Sequence, residues 1–580
     1  MYYFKKVYNI IPHNLLSKIP VLLFLLLVNS FFEIVSLGSI IPLLQTILDP
    51  NFSLVFFNKI ENLFIKDFLL SLSQKEQILF FSFILIIVFM LKYLFYIVTL
   101  DYNLNYSKKL SIELTKSVVL AYFKNSYTFF SRTNLSSKIT DIFVGIRYLT
   151  TFYVKSFLNL ILEIFLIIFI SILILYIDPF ASAVAITFFL TISYLFFKIN
   201  KKKLDHFSNL TQFYDKKRVK SLHEIITLFK EVIIFKKEDF FYKNFLTNLS
   251  LFEVNTKKIN FLKILPRPIL EFFGTITIII FLIVSFYSSN DDLSQIVIKI
   301  AIIAAAGFRL LPSINRAMVS ILEIKSSIPY VISVLKSNLL KKNKNKNKNN
   351  FLVNKKIIHI NNAISFKNIS FGYSKKTRII HNLDLKIERN DKVGIIGRSG
   401  EGKTTLLEII CGLYEPTNGT VIIDNKKYSF KDLKNLSISY VSQNNILFEG
   451  SIVENITFGI KKEAIDINKV KFIVKLVGLQ SFINSLQGKL ETTIGEMGSK
   501  ISGGQKQRIS IARALYHDAQ ILIFDEATNS LDRITEDKII KNIKKNFSTK
   551  MIIFVSHKKS AINFCNKILK LENKKLVRIK

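Results

Sequence analysis

The residues Gly397-Arg398-Ser399-Gly400-Glu401-Gly402-Lys403-Thr404 follow directly on Lys392 to Ile396, which reads as a short buried strand, and spell GxxxxGK[ST]. A buried strand feeding a glycine-rich turn and then a helix is the context in which that spacing holds phosphate. Glycines let backbone N–H groups curl around phosphate oxygens, and a helix starting near Thr404 aims its positive dipole end at them. Lys403 can neutralise the β and γ oxygens, and Thr404 can ligate Mg²⁺. Gly397, Arg398, Ser399, Gly400, Glu401, Gly402, Lys403, Thr404 and Thr405 are therefore the expected nucleotide contacts, with ATP and Mg²⁺ as the expected ligands. An apolar run, Ile521 to Phe524, ends at Asp525-Glu526. That is the place for an Mg²⁺-coordinating aspartate and, beside it, a carboxylate able to polarise an attacking water. Alone, a strand ending in Asp-Glu is commonplace.

The run Ile501-Ser502-Gly503-Gly504-Gln505 adds specificity. With it the chain resembles the ATP-binding cassette (ABC) transporters, whose signature loop Ser502 to Gln505 matches, with Ile501 where leucine is usual. In order around it, Tyr373 matches the aromatic that stacks on adenine, Gln443 the Q-loop, Ser530-Leu531-Asp532 the D-loop and His557 the switch histidine. The resemblance covers residues 357 to 580 and implies an α/β P-loop cassette. It implies Glu526 as general base, Lys403 and Ser502 on the γ-phosphate from opposite subunits, and His557 as its sensor. It further implies Ser502, Gly503, Gly504 and Gln505 on the nucleotide, and Thr404, Gln443 and Asp525 around the metal. One cassette per chain implies a half-transporter that works as a homodimer; a heterodimer with a related chain is the alternative.

The elements that must carry this site come in two solvents. Of 580 residues 50% are hydrophobic, 53 are Phe and only 21% are charged, and the mean hydropathy is positive. Such a chain must place much of its surface in lipid. Runs near the roughly 20 residues that cross a bilayer lie at 21–48, 78–100, 157–177, 179–197, 269–287 and 296–322. The expectation is an all-α transmembrane domain of six helices over residues 1–335, a Lys/Asn-rich linker over 336–356, and the cassette over 357–580. The first run is too long for a signal peptide and is expected to stay in the mature chain. Cys411 and Cys565 sit in no CxxC or Cys/His spacing, so neither a disulfide framework nor a zinc site is indicated and the cassette half is expected in a reducing compartment. The net charge of +38 goes with a general over-use of Lys, Asn, Ile and Phe, and no nucleic-acid partner is expected.

Orientation follows from the connections. The segments after the second and fourth runs are rich in Lys and Arg, among them Lys201, Lys202 and Lys203, while Ser288 to Gln295 carries Asp291 and Asp292 without a cation. The positive-inside tendency then puts both long loops, the N-terminus and the cassette in the cytoplasm of a bacterial-type inner membrane. Those loops have helical spacing, as at Leu110, Leu114, Ser117, Val118 and Ala121, so the spans are expected to continue as helices beyond the bilayer. The outer connection Asn51 to Gln77 has an apolar stripe (Phe56, Ile60, Leu63, Phe64, Phe68) that suits a short interfacial helix.

Charges inside the spans or at their edges are Glu33, Lys92, Glu163, Arg267, Glu271, Lys299, Arg309 and Arg316. Arg309 and Arg316 are seven apart and project from one helical face. With Lys92 and Arg267 they suit a cationic cavity for an anion; pairing with Glu33, Glu163 or Glu271 is the competing reading. Fused spans and long inner extensions resemble exporters. The membrane half is similar to the PglK-type flippases of lipid-linked oligosaccharides on Phe32-Glu33-Ile34, Ile41-Pro42, Leu265-Pro266-Arg267, Leu270-Glu271 and Phe308 to Arg316. This implies Lys92, Arg267, Arg309 and Arg316 as substrate contacts. Competing cargoes are lipid A, drugs, or peptides, the last expected with an N-terminal peptidase domain; a membrane-tethered regulatory ATPase is the alternative of another class.

Overall fold

The structure, a computed structural model, describes residues 2–48, 72–132, 134–177, 179–288, 293–336, 357–373, 378–495, 498–556 and 558–579. The stripe from Phe56 to Phe68, nearly all of the linker and His557 lie outside them. The chain divides into a helical unit and an α/β unit, residues 126–129 grouping with the second.

The helical unit is built from α1 (Ile19–Gly38), α2 (Ile40–Leu48), α3 (Gln74–Lys124), α4 (Ser156–Ile177), α5 (Pro179–Thr227), α6 (Glu238–Ile264), α7 (Pro266–Ser288) and α8 (Leu293–Lys336). The start of α3 is fixed by a capping box, in which Ser73 N donates to Glu76 Oε2 at 2.7 Å and Glu76 N donates back to Ser73 Oγ at 3.5 Å. From there 51 residues run without a break, about 77 Å at 1.5 Å per residue, far more than a bilayer needs. Leu110, Leu114 and Val118 are buried on its extended part, the face that their spacing predicts. Ahead of α4, Asp141–Gly145 and Tyr148–Lys155 are wound as π-helix.

Two expectations change. The window 21–48 is not one helix but two, separated at Ser39. Pro42 lacks the N–H that would bond to the Gly38 carbonyl, and its ring crowds that carbonyl, so the turn opens there. Among the described residues five stretches are long and apolar enough to cross a membrane: His13–Gly38, Gln74–Lys124, Leu135–Tyr176, Ser182–Thr227 and Gly307–Lys336. The window 269–287 falls on α7, which is helical but not among the five; a sixth span rests on sequence.

The α/β unit holds β1 (Ala363–Phe371), β2 (Ile380–Glu388), β3 (Lys392–Ile396), β4 (Asn418–Ile423), β5 (Lys426–Tyr428), β6 (Ile438–Val441), β7 (Ile521–Asp525), β8 (Met551–Val555), β9 (Lys567–Glu572) and β10 (Lys575–Arg578). An antiparallel sheet runs β2-β1-β4-β5 and a second, mostly parallel one runs β10-β9-β3-β8-β7-β6. In the second, β3, β8 and β7 are parallel neighbours, so the ends of β3 and β7 open on the same edge, where ligands bind in such sheets. Val393 to Ile396 of β3 and Ile521 to Phe524 of β7 carry no charged residue because both faces are covered. Leu522 and Phe524 pack into one core while Ile521 and Ile523 pack into the other.

Candidate nucleotide site and intramembrane cavity

Two helices of the cassette serve the site: α9 (Lys403–Ile410) and α10 (Gly503–Tyr516). The loop from Gly397 to Gly402 leaves the end of β3 and turns into α9 with Gly400 at φ +85° and Gly402 at φ +100°, a region that side chains disfavour. A Cβ on Gly402 would also sit 2.6 Å from Ile379 Cγ2. Gly402→Ala is therefore expected to cost roughly 1–3 kcal/mol through strain at the cradle and to weaken ATP binding; calorimetric titration of the full chain with ATP checks it, and wild-type affinity would sink it.

Within the loop Arg398 N donates to Glu401 Oε2 at 2.8 Å, while Arg398, Ser399 and Gly400 stay exposed. The Lys403 ammonium is buried and folds back to donate to the carbonyls of Gly397 at 2.7 Å and Arg398 at 2.9 Å. Thr404 Oγ1 donates to Asp525 Oδ2 at 2.9 Å, and Tyr440 OH reaches the same oxygen at 2.9 Å. The hydroxyl of Thr405, one position on, meets Tyr373 OH at 2.9 Å, leaving that ring at the surface. Thr404 and Asp525 thus pair two hard oxygen donors of the kind Mg²⁺ takes. Burial pushes the Asp525 carboxyl above its ordinary range, against the hydrogen bonds from Tyr440 and Thr404 that favour its charged form.

Glu526 follows β7 with φ +49°, and its Oε2 accepts from Gln443 Nε2 at 2.9 Å and Asn529 Nδ2 at 2.8 Å. Gln443 is thereby joined to Glu526 rather than to the Thr404–Asp525 pair. Ser502 caps α10 through a second capping box, with Ser502 N donating to Gln505 Oε1 at 2.8 Å and Gln505 N to Ser502 Oγ at 3.3 Å. This leaves Ser502 and Gly503 exposed at the helix N-terminus, and Gly504 close to the Ser530 carbonyl.

The helical unit contains a cavity of about 650 Å³. Its wall carries four cations, Lys92, Lys155, Arg309 and Arg316, against three carboxylates, Glu33, Glu163 and Glu323. Lys92 Nζ donates to Glu33 Oε1 at 3.0 Å and to Ser36 Oγ at 3.3 Å. Arg309 donates to both oxygens of the same carboxylate, with Nη2 to Oε2 at 2.7 Å. Arg316 holds Glu163 in a fork, Nε to Oε1 at 2.5 Å and Nη2 to Oε2 at 3.1 Å. Arg267 does not join them. It sits in the first turn of α7, 73% exposed, and closes on Glu271 one turn on at 2.9 Å. It is not among the residues that line the cavity, so the expected cationic lining does not include Arg267.

A family model of the ABC transporter matches residues 380–529, and one of the ABC transporter transmembrane region matches residues 21–310. The chain belongs to the ABC transporters. A Rickettsia typhi protein with a provisional export ATP-binding/permease name is 41% identical over 221 residues, 37% of this chain and 38% of that protein. The alpha-hemolysin translocation ATP-binding protein HlyB of Escherichia coli is 38% identical over 221 residues, 38% of this chain and 31% of HlyB. The matched stretch thus covers well under half the length of these relatives. A bacterial Atm1-family ABC exporter, solved with ATP bound, superposes with a TM-score of 0.75 at 19% identity, over 97% of this chain and 94% of that one. That likeness extends the ABC exporter fold over both units.

Within the transporter's cassette, Tyr440, Asn529 and Gln507 went unread in the sequence. Gln507 is buried, donates to the Glu526 carbonyl at 3.4 Å and accepts from Ser530 N at 2.9 Å. Asn529 stands three residues after Glu526, a spacing that could have marked it; Tyr440 has no local signal, since β6 meets β7 only in the sheet. Removing its hydroxyl from a charged acceptor raises the Asp525 carboxyl further. Tyr440→Phe is expected to raise the half-saturating Mg²⁺ concentration for ATP hydrolysis roughly tenfold near pH 6, with the gap closing toward pH 8. A gap independent of pH would refute the proton-competition account.

Proposed function

We propose that this ABC transporter is an ATP-driven exporter of the half-transporter kind, two copies of the chain moving a lipid-linked oligosaccharide or related anionic glycolipid from the inner to the outer leaflet. The membrane is the bacterial inner membrane, with the cassette in the cytoplasm. In each ATP site Gly397 to Thr405 cradle the phosphates, with Lys403 on the β and γ oxygens, and Tyr373 stacks on adenine. Ser502, Gly503, Gly504 and Gln505 of the second copy close over the γ-phosphate, which His557 senses. Thr404 and Asp525 would hold Mg²⁺, with Gln443 beside them, and the ion would neutralise charge on the phosphate oxygens. Glu526 takes the proton of the attacking water.

One observation carries the cargo reading: cations and carboxylates share a cavity between membrane helices, where charge is costly and therefore usually functional. A polyprenyl diphosphate sugar carries its charge beside a long tail and a polar glycan. Its phosphates can replace Glu33 and Glu163 as partners of Lys92, Arg309 and Arg316, while the tail stays in lipid. The cargo named for HlyB belongs to that protein.

The test is ATP-dependent flipping of a fluorescent polyprenyl diphosphate oligosaccharide in proteoliposomes, wild type beside Glu526→Gln. Flipping by the wild type alone is expected. A wild type that hydrolyses ATP without flipping this lipid leaves the ATPase in place and removes the cargo.

A further inference from the structure

Arg309, Arg316 and Glu323 stand seven residues apart along α8, so they share one face at steps of about 10 Å. Helix α4 runs antiparallel to that face in matching register. Glu163 meets Arg316, and seven residues earlier Ser156 Oγ donates to Glu323 Oε2 at 2.5 Å. One further step up, α4 presents Ile170, fully buried in an apolar cluster with Leu310, and Arg309 turns to Glu33 of α1 instead. The cavity wall is therefore a ladder of three charged stations.

Their charges are unequal. At the top two cations, Lys92 and Arg309, share Glu33. In the middle Arg316 and Glu163 cancel. At the bottom Lys155 lies on the wall, half-buried, and among the described residues no carboxylate pairs with it. Lys263 of α6 stands near by, its ammonium 5.5 Å from the Phe152 ring centroid and within electrostatic reach of Glu323. Glu323 is thus the one carboxylate of the wall at this station, with Lys155 beside it on the wall and Lys263 within electrostatic reach.

We infer that Lys155 and Lys263 form the first docking point for the phosphate of the substrate, at the Glu323 end of the cavity, before the phosphate reaches Lys92 and Arg309. This rests on the anionic-glycolipid reading and extends it. A half-buried ammonium without a counter-ion is destabilising, and a phosphate oxygen supplies the missing charge with a strong hydrogen bond. A surplus positive charge at each end, with a neutral pair between, gives two binding stations of moderate strength rather than one deep trap. Release requires this. The basic loop that holds Lys155 in the sequence gave no reason to separate it from its neighbours.

The test uses the full chain in nanodiscs without nucleotide and a fluorescent polyprenyl diphosphate as probe, with uncharged polyprenol and inorganic pyrophosphate as competitors. The double variant Lys155→Gln, Lys263→Gln is expected to weaken probe binding about tenfold. The double Lys→Arg variant is expected to restore it. In proteoliposomes the Gln variant should raise the half-saturating lipid concentration and keep the maximal rate. Wild-type affinity in the Gln variant, or equal loss in the Arg variant, overturns the docking role. Displacement by pyrophosphate at concentrations equal to the probe overturns the lipid form of the ligand in favour of a soluble anion, and equal affinity for polyprenol overturns phosphate recognition altogether. A wild type that binds the probe and loses it on Lys155 and Lys263 substitution, yet never flips the glycolipid, removes the transport reading and leaves the docking point standing.

Discussion

Glu526→Gln is expected to lower steady-state ATP hydrolysis by a factor on the order of a hundred or more, with ATP still bound. The carboxylate leaves β7 in a left-handed turn, a strained placement that persists only where its surroundings hold it. They do so through the Gln443 and Asn529 amides on Oε2 and the bond from Glu526 N to the Val555 carbonyl at 2.9 Å. Both amides act on one oxygen; the other accepts no hydrogen bond among the described residues and is the one available to a water. Glutamine keeps the shape and loses the basicity, and a positioned base contributes typically 10²–10⁴-fold. Phosphate release from the full chain at saturating Mg-ATP measures it, beside a nucleotide-binding titration that guards against misfolding. A variant that turns over within a few-fold of wild type would move the base elsewhere, with Asp525 excluded by its contact with Thr404.

The cassette was legible because its chemistry is local. The phosphate loop needs a strand, glycines at fixed offsets and a helix, all within one short segment, and the structure places Gly397 to Gly402 between β3 and α9, with Lys403, Thr404 and Thr405 in the first turn of α9. Contacts made across the sheet were not legible: Tyr440 reaches Asp525 only because β6 lies beside β7. In the helical unit the 3.6-residue period gave the buried face of α3, and seven-residue spacing gave Arg309 and Arg316 a common face. Periodicity cannot say what stands opposite. Hence Arg267 was grouped with cations it does not meet, Lys155 was passed over, and the break at Ser39 hid inside a run that hydropathy alone reads as continuous.

The same opposition makes Glu33 the residue whose loss the helical unit should tolerate least. It is 5% exposed and is the carboxylate partner of both Lys92 and Arg309, so it joins α1, α3 and α8 at one point. Removing one partner of a buried pair is strongly destabilising, about 3–5 kcal/mol, because the other charge is left without compensation. Glu33→Gln leaves two such charges. Lys92→Met is expected to be milder, since Arg309 and Glu33 then remain a balanced pair. Combining the two should be less damaging than Glu33→Gln with Lys92 intact, because only one cation is then stranded. Thermal unfolding of the four proteins in detergent gives the coupling as a double-mutant cycle. A Glu33→Gln protein that melts with the wild type, or a cycle without coupling, would mean that water or lipid already neutralises this cluster and that Glu33 does not hold the three helices together.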